Sequence, residues 1–175
     1  MKFLAIAICV SLLFSSVSCE LGIFKVFENF MGKEEKAHKP GDIEILSSPN
    51  VPEAIGTYSA GTKVYYNGFS IIETSGQIGL NPATGELVED FEGQVEQALN
   101  NLKHLIEDNG GSLDRVIKTQ IFLSDIDNFK AVDAIYAKYF TKDFPARAAV
   151  AVKDLPKLCY VEIMAEAVVQ DQESG

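Results

Sequence analysis

The sequence has few of the residues that build metal centres and disulfide frameworks, with two histidines and three cysteines among 175 residues. Basic residues are also in the minority: 15 Lys and Arg stand against 25 Asp and Glu, which gives a net charge of −10. Proteins that bind nucleic acids need a clustered basic surface, so this charge balance argues against a nucleic-acid partner. The scarcity of histidine and cysteine leaves little material for a metal cluster, and we expect no metal site.

The chain begins with the pattern of a secretory signal peptide. Met1 and Lys2 precede an apolar run at residues 3–14, and small residues follow at 15–18. A short basic start, an apolar stretch and a small-residue exit are the parts of such a peptide. The run is too short to span a bilayer as a helix. We therefore expect a leader at residues 1–19, cleaved after Ser18 or Cys19, with lipidation of Cys19 in a bacterial lipoprotein as the alternative.

Removal of this leader leaves Cys159 as the sole cysteine, which cannot form an internal disulfide. A lone cysteine is unusual in a small exported domain and typical of a fold built for a reducing compartment. The hypothesis is a cytosol-type domain that an added leader sends into the secretory pathway or out of the cell. An organelle reached through the secretory route is the alternative destination. Residues 20–48 are predicted to form a flexible arm and residues 171–175 a disordered tail.

Residues 49–170 alternate between strand and helix patterns and predict one domain. Asn67-Gly68 between two apolar runs predicts a β-hairpin, because this dipeptide favours the turn that matches strand twist. A 3–4 spacing of apolar residues predicts a helix from about Phe91, with Asp90 as its N-cap. A capping box at 124–127 predicts the start of a second helix, and further strands are expected at 116–123, 147–152 and 158–169. The order β-β-α-β-α-β-β indicates an α+β fold with one mixed sheet and two helices on one face.

Two charged residues lie on predicted strands that are otherwise rich in small apolar residues. If the last two strands form a hairpin that turns near Leu155, Arg147 falls close to Glu162 or Met164 on one sheet face. An ordinary ion pair on a solvated face is one interpretation. The other is a site for a small acid, because the arginine fork binds a carboxylate through two parallel hydrogen bonds. The alternation of residues alone leaves both interpretations open.

Four short motifs carry a resemblance to a known family. They are Ala54-Ile55-Gly56-Thr57-Tyr58, Thr74-Ser75-Gly76-Gln77-Ile78, Phe144-Pro145-Ala146-Arg147 and Val161-Glu162-Ile163. Together, in this order and without large gaps, they resemble the reactive intermediate deaminase (RidA) family, also known as the translation inhibitor or endoribonuclease L-PSP family. The similarity runs from about residue 49 to residue 169, and it favours a functional Arg147.

The resemblance implies a compact chorismate-mutase-like subunit and a homotrimer with active sites in clefts between subunits. The implied enzyme is a deaminase that hydrolyses reactive 2-imino or enamine acids, such as 2-iminobutanoate and 2-iminopropanoate, to 2-oxo acids and ammonia. It uses no cofactor, and its partners are small imino or 2-oxo acids, with no nucleic acid and no membrane once the leader is removed. An iminium is already electrophilic, so orientation and one general acid/base could suffice for this chemistry.

The resemblance also implies roles for individual residues. Arg147 would bind the substrate carboxylate, and Glu162 would hold and activate the attacking water. Tyr58 would close over the pocket, and Gly76 would offer backbone groups to the substrate.

Two positions near this site depart from the family's pattern. Many members have cysteine where this chain has Ala149, whose backbone would still serve substrate binding. Some members have asparagine where this chain has Asp133. If Asp133 lies near the pocket, its carboxylate would repel an anionic substrate; the alternative is a place on the subunit surface.

Two other functions are compatible with the family resemblance. One is an endoribonuclease or translation inhibitor, against which the acidic charge balance counts because RNA phosphates need lysine and arginine partners. The other is a non-catalytic, small-acid-binding or holdase-like oligomer that uses the cleft without turnover.

Overall fold

Seven strands and two helices form the part of the chain that the structure, a computed structural model, describes, which is residues 38–170. The helices are α1 (Phe91–Asp108) and α2 (Phe129–Tyr139). The strands are β1 (Ile43–Leu46), β2 (Gly61–Tyr65), β3 (Phe69–Thr74), β4 (Gln77–Ile78), β5 (Val116–Leu123), β6 (Ala146–Ala151) and β7 (Val161–Gln170). The predicted α+β class, with one mixed sheet and two helices, is confirmed.

The described residues begin inside the predicted arm. The predicted leader, the arm up to residue 37 and the tail at 171–175 lie outside them. β1 pairs antiparallel with β2, so the sheet starts ahead of residue 49, where the sequence patterns predicted the domain boundary. Within residues 38–170, neither helix is long and apolar enough to cross a membrane.

The strand order of the sheet is β1-β2-β3-β7-β5-β6, with the short β4 also paired to β7. The long β7 lies between β3 and β5 and is antiparallel to both. β6 is parallel to β5 and forms an edge of the sheet. A parallel pair needs a crossover connection, and α2 supplies it.

α1 forms as its apolar spacing predicts and covers one face of the sheet. The Asp90 side chain accepts a hydrogen bond from the Gly93 amide at 2.8 Å, which confirms the predicted N-cap. Both helices share one core cluster with alternate residues of the strands, and the deepest side chains of that cluster include Leu102, Ile163 and Val161. The two helices therefore lie on the same face, and we call the opposite face of the sheet the open face.

α2 begins later than the capping box predicted. A 3₁₀ turn, Ile126–Asn128, precedes it, and the Asp125 side chain caps that turn by accepting from the Asp127 amide at 2.9 Å. The α-helix itself starts at Phe129. The predicted cap residues thus start a 3₁₀ turn, and the α-helix follows directly from it.

Candidate active site

A cavity of about 300 Å³ lies on the open side of the sheet near the start of β7. Its wall includes Tyr58, from the loop between β1 and β2, and Gly76, which directly precedes β4. Two acidic residues line the wall, Glu162 on β7 and the exposed Glu53 of the loop between β1 and β2. The structure therefore brings together three of the residues that the sequence singled out, and we call Tyr58, Gly76 and Glu162 the glutamate group.

The alternation of β7 explains why Glu162 points into this cavity. Val161 and Ile163 on either side of it are fully buried in the core beneath the helices. Successive side chains of a strand point to opposite faces, so Glu162 lies on the open face. Its direct neighbours across the sheet are Ile78 on β4 and Phe122 on β5.

The Glu162 carboxylate packs directly against the backbone of Gly76. A Cβ atom added at Gly76 would overlap Glu162 Oε1 and would lie 2.5 Å from Cδ and 2.7 Å from Cγ. Glycine is therefore required here to admit the carboxylate. Burial raises the pKa of the Glu162 carboxyl above its ordinary value, because desolvation disfavours the charged form.

Tyr58 lines the cavity and is 48% exposed as a residue. The Ile55 amide donates to the Tyr58 hydroxyl at 3.2 Å, which folds the tip of the loop on itself. The end of the same loop is fixed by the Ser75 hydroxyl, which donates to the Ser59 carbonyl at 2.6 Å. This exposed aromatic side chain is available to cover a ligand in the cavity.

Two buried polar residues of α1 hold the segments around the cavity, and sequence reasoning missed both. The Asn101 side-chain amide donates to the carbonyls of Ile78 and Leu80 at 3.1 and 2.9 Å. Gln94 accepts from the Tyr160 amide at 2.8 Å, two residues before Glu162. The available signal was a polar residue at the 3–4 spacing of the apolar face, where an unpaired polar group would be costly.

Arg147 lies elsewhere, at the edge of the sheet beneath α2. Its Nη1 donates to Asp133 Oδ1 at 2.7 Å. The guanidinium carbon lies 4.9 Å from the ring centre of Tyr136 and 5.4 Å from that of Phe129. Cation–π attraction and the ion pair therefore hold the guanidinium against one face of α2.

The strand register shows that Arg147 lies on the helix side of the sheet. Its neighbour across the ladder is Thr119 on β5, which is fully buried and shares a 2.9 Å hydrogen bond with the Tyr136 hydroxyl. Lateral neighbours share a face, and Ala149, two residues further along β6, packs against the same core cluster. We call Asp133, Arg147 and Ala149 the arginine group.

The expectation that Arg147 and Glu162 share a sheet face is wrong. β5 lies between β6 and β7, so the last two strands do not form a hairpin, and Arg147 and Glu162 lie on opposite faces. The strand–helix–strand pattern of β5, α2 and β6 was the signal for a parallel crossover. Within one subunit, a small acid cannot contact both residues.

The donor sets of the two groups contain few metal ligands. In the stretch from residue 38 to residue 170, no group of three or more His, Cys, Asp or Glu side chains is placed to hold a metal ion. The chemistry that the two groups offer is carboxylate binding at Arg147 and proton transfer at Glu162.

Comparison with known proteins identifies the family. A family model described as Endoribonuclease L-PSP matches residues 48–169, well over half of the chain. The chain belongs to this family. The resemblance of the four sequence motifs to the RidA family, another name for the L-PSP family, is thereby confirmed.

Curated relatives and solved structures agree with this L-PSP assignment. The 2-iminobutanoate/2-iminopropanoate deaminase of Escherichia coli K12 is 40% identical over 126 residues, covering 70% of this chain and 95% of that protein. A RutC family protein of Aquifex aeolicus is 43% identical, covering 70% and 97%. The crystal structure of E. coli TdcF with bound serine is 34% identical with a TM-score of 0.66, covering 71% of this chain and 98% of that chain.

The single cysteine of the L-PSP domain, Cys159, is expected to be unreactive. It is buried just before β7, its Sγ donates to the Val161 carbonyl at 3.3 Å, and burial raises its pKa to about 11. At pH 8 only about one thiol in 1000 is ionised, and the thiolate is the reactive form. In protein lacking residues 1–19, a disulfide reagent should label the thiol at least about 100-fold more slowly than it labels the guanidinium-unfolded chain. Labelling of the native protein within mixing time would contradict this expectation.

The desolvated carboxylate of Glu162 is expected to lower the stability of the L-PSP domain at alkaline pH. Because its folded pKa is raised, its stabilising contribution is full at low pH and is lost as pH rises through the folded value. Glu162→Gln should therefore melt above wild type at pH 8, with the difference shrinking towards pH 4. Thermal unfolding by circular dichroism measures this, with the exposed Glu86→Gln as control. The expectation would be contradicted if the melting temperature of Glu162→Gln, relative to wild type, were lower at pH 8 than at pH 4.

Proposed function

We propose that this protein is a deaminase that hydrolyses reactive 2-imino acids to 2-oxo acids and ammonia, without a cofactor. The observation that carries the proposal is a pair of groups: a guanidinium at Arg147 held by its ion pair with Asp133, and a carboxyl at Glu162 whose pKa is raised by burial. The 40% identity to a 2-iminobutanoate/2-iminopropanoate deaminase supports this reaction class. RNA cleavage is less favoured, because the net charge of −10 opposes phosphate binding.

Arg147 would bind the substrate carboxylate. Its ion pair with Asp133 uses Nη1, and its side chain is 24% exposed. A guanidinium presents five N–H donors in a fixed fork, so donors remain for a second carboxylate. The two aromatic rings restrict the fork to one orientation, which reduces the entropy lost on binding.

Glu162 would serve as the general base. A base is most effective when its pKa lies near the working pH, and burial moves the pKa of Glu162 in that direction. Water attacks the imine carbon while Glu162 takes one water proton and the C=N π electrons move to nitrogen. Glu162 returns the proton to that nitrogen. Glu162 next takes the hydroxyl proton of the carbinolamine as C=O forms and delivers it to the amino nitrogen, so that the C–N bond breaks with release of ammonia and Glu162 is again a carboxylate.

Because the two groups lie on opposite faces of the sheet, a complete site would take one group from each of two subunits. The glutamate group of one subunit would meet the arginine group of a neighbour in a cleft, in the homotrimer that the family resemblance implies. Ala149 in the arginine group would contribute backbone groups beside the substrate, and Gly76 in the glutamate group would do the same from the other wall. A closed ring of three copies would complete three equivalent sites.

A coupled assay tests the reaction. D-amino-acid oxidase releases 2-iminopropanoate from D-alanine, and semicarbazide traps any imine that escapes enzymatic hydrolysis. Catalytic amounts of the protein should suppress the semicarbazone and speed pyruvate formation. The proposal would be overturned if semicarbazone and pyruvate formed at their spontaneous rates even with stoichiometric amounts of the protein. Binding of a 2-oxo acid without turnover would favour the non-catalytic oligomer.

Mixed oligomers test the shared site. Arg147→Ala and Glu162→Gln subunits are each inactive under the proposal, but random reassembly restores about a quarter of the sites with both native groups. Co-refolded variants should therefore regain activity that separately refolded variants lack. Absence of recovery in an assembled mixture, confirmed as a trimer by light scattering, would contradict a site shared between subunits.

We also propose that residues 1–19 direct the protein into the secretory route. The basic start, apolar run and small-residue exit support this proposal. Sequencing the mature N-terminus of a C-terminally tagged chain should find a start at Cys19 or Glu20. A start at Met1 would overturn it.

A further inference from the structure

One helical face of α2 surrounds the Arg147 guanidinium with three side chains. Phe129, Asp133 and Tyr136 are spaced four and three residues apart, so they lie on the same side of the helix. All three contact Arg147: the aromatic residues through their rings and Asp133 through the 2.7 Å ion pair. The charge of the proposed carboxylate clamp is therefore set by Asp133 as well as by Arg147.

The ion pair is asymmetric in its exposure to solvent. The Asp133 side chain is 53% exposed and the Arg147 side chain 24% exposed. An anion that approaches the guanidinium from solvent therefore meets the Asp133 carboxylate at the same surface. Because the two charges cancel at longer range, such an anion gains mainly from direct hydrogen bonds to the remaining donors of the fork.

We propose that Asp133 is a specificity-determining residue, which admits 2-imino acids with an uncharged side chain and discriminates against those with a second carboxylate. The inference rests on the proposed function, since it assumes that Arg147 binds the substrate's first carboxylate. A monocarboxylate places one negative charge beside Asp133, and its hydrogen bonds to the Arg147 guanidinium offset the repulsion. A dicarboxylate brings a second negative charge to the same surface, and this cluster contains no second cation to bind that charge.

Removal of the Asp133 charge should therefore help a dicarboxylate more than a monocarboxylate. Asp133→Asn preserves the shape of the side chain and an oxygen that can accept from Arg147. With a second charge several ångströms from Asp133 in a half-exposed site, we expect about a tenfold gain in dicarboxylate affinity. A monocarboxylate, bound by the same fork in both proteins, should gain about threefold or less.

Calorimetric binding of 2-oxobutanoate and 2-oxoglutarate to the full chain separates the two effects. Asp133→Asn should lower the Kd of 2-oxoglutarate about tenfold and that of 2-oxobutanoate by about threefold or less. Glu107→Gln is the matched control, since it removes one exposed carboxylate of the last turn of α1. It should change neither constant. Equal changes for both ligands, or weaker binding of both as in a loss of Arg147 orientation, would overturn the inference.

Turnover provides the second arm. D-Aspartate oxidase supplies iminosuccinate and D-amino-acid oxidase supplies 2-iminopropanoate. Asp133→Asn should shift the ratio of their kcat/KM values about three- to tenfold towards iminosuccinate, through KM. An unchanged ratio in active enzyme would overturn the inference. If wild type hydrolyses neither imine while Asp133→Asn still selects 2-oxoglutarate, the proposed function fails and the binding role of Asp133 stands.

Discussion

Replacement of Arg147 by alanine is expected to lower kcat/KM for 2-iminobutanoate by about 10²–10⁴-fold, because two charge-assisted hydrogen bonds to the carboxylate are lost. Most of the loss should be in substrate binding, so 2-oxobutanoate should no longer bind detectably. Arg147→Lys keeps the charge but not the planar fork, and it should recover only part of the affinity. The comparison separates charge from geometry at this position.

The Arg147 variants need a check on folding, which the structure makes simple. Asp133 loses its partner but is 53% exposed, so water can solvate it and the fold should persist. Circular dichroism and light scattering establish that the variants remain folded and assembled. Wild-type turnover by a folded Arg147→Ala protein would remove Arg147 from the active site.

Glu162→Gln is expected to lower kcat by about 10²–10⁴-fold with little change in KM, because an amide cannot accept the water proton. The matched control is Glu166→Gln, which removes a carboxylate from the same open face of β7, four residues away. Glu166 pairs with Lys118, outside the cavity that Glu162 lines. Loss of activity in Glu166→Gln equal to that in Glu162→Gln would show that charge on this face matters and that a base at position 162 does not.

Gly76→Ala should reproduce much of this loss without removing a charge. The new Cβ would overlap the Glu162 carboxylate, a flexible side chain that can swing away from the backbone. Stability should therefore change little, while a misplaced base costs about 10²-fold in rate. Steady-state kinetics beside thermal unfolding of the same preparation measure both. Full activity in Gly76→Ala would show that the position of Glu162 against Gly76 is irrelevant to turnover.

The local elements of the fold could be predicted well where one signal dominates. β5 spans Val116–Leu123 as its β-branched, apolar run predicted, and α1 starts after the Asp90 cap as expected. α2 was predicted less well, because the side chain of Asp125 caps a 3₁₀ turn as readily as an α-helix. The two short strands β1 and β4 were not predicted, whereas the remaining strands and helices follow the predicted order.

Strand pairing could not be predicted from the same signals. The chain from β6 to β7 is short and contains Asp154, Leu155 and Pro156, which suggested a hairpin. In the structure this segment passes the end of β5, because α2 has already placed β6 on the outer side of β5. The alternation of residues along each strand correctly divided them into two sets on opposite sides of that strand. Which set faces the helices depends on the order of the strands in the sheet, which alternation does not reveal.

The candidate site shows the same division. Tyr58, Gly76 and Glu162 were found from short motifs, and the structure gathers them around one cavity. Asn101 and Gln94 were missed: their positions on the apolar face of α1 marked them as buried polar residues, but the backbone groups that they bind follow only from the tertiary structure. The Asp133–Arg147 pair also depended on tertiary structure, since the crossover helix brings the two residues together.

The placement of Arg147 and Glu162 on opposite faces of one sheet has a consequence for where the reaction can occur. Under the proposed function, a newly made or highly diluted chain carries both groups but is inactive, because each group needs the complementary group of a second subunit. Activity then rises more steeply than protein concentration around the dissociation constant of the assembly. A protein that leaves its cell would stop working as it disperses, so its chemistry would be confined to compartments in which it accumulates.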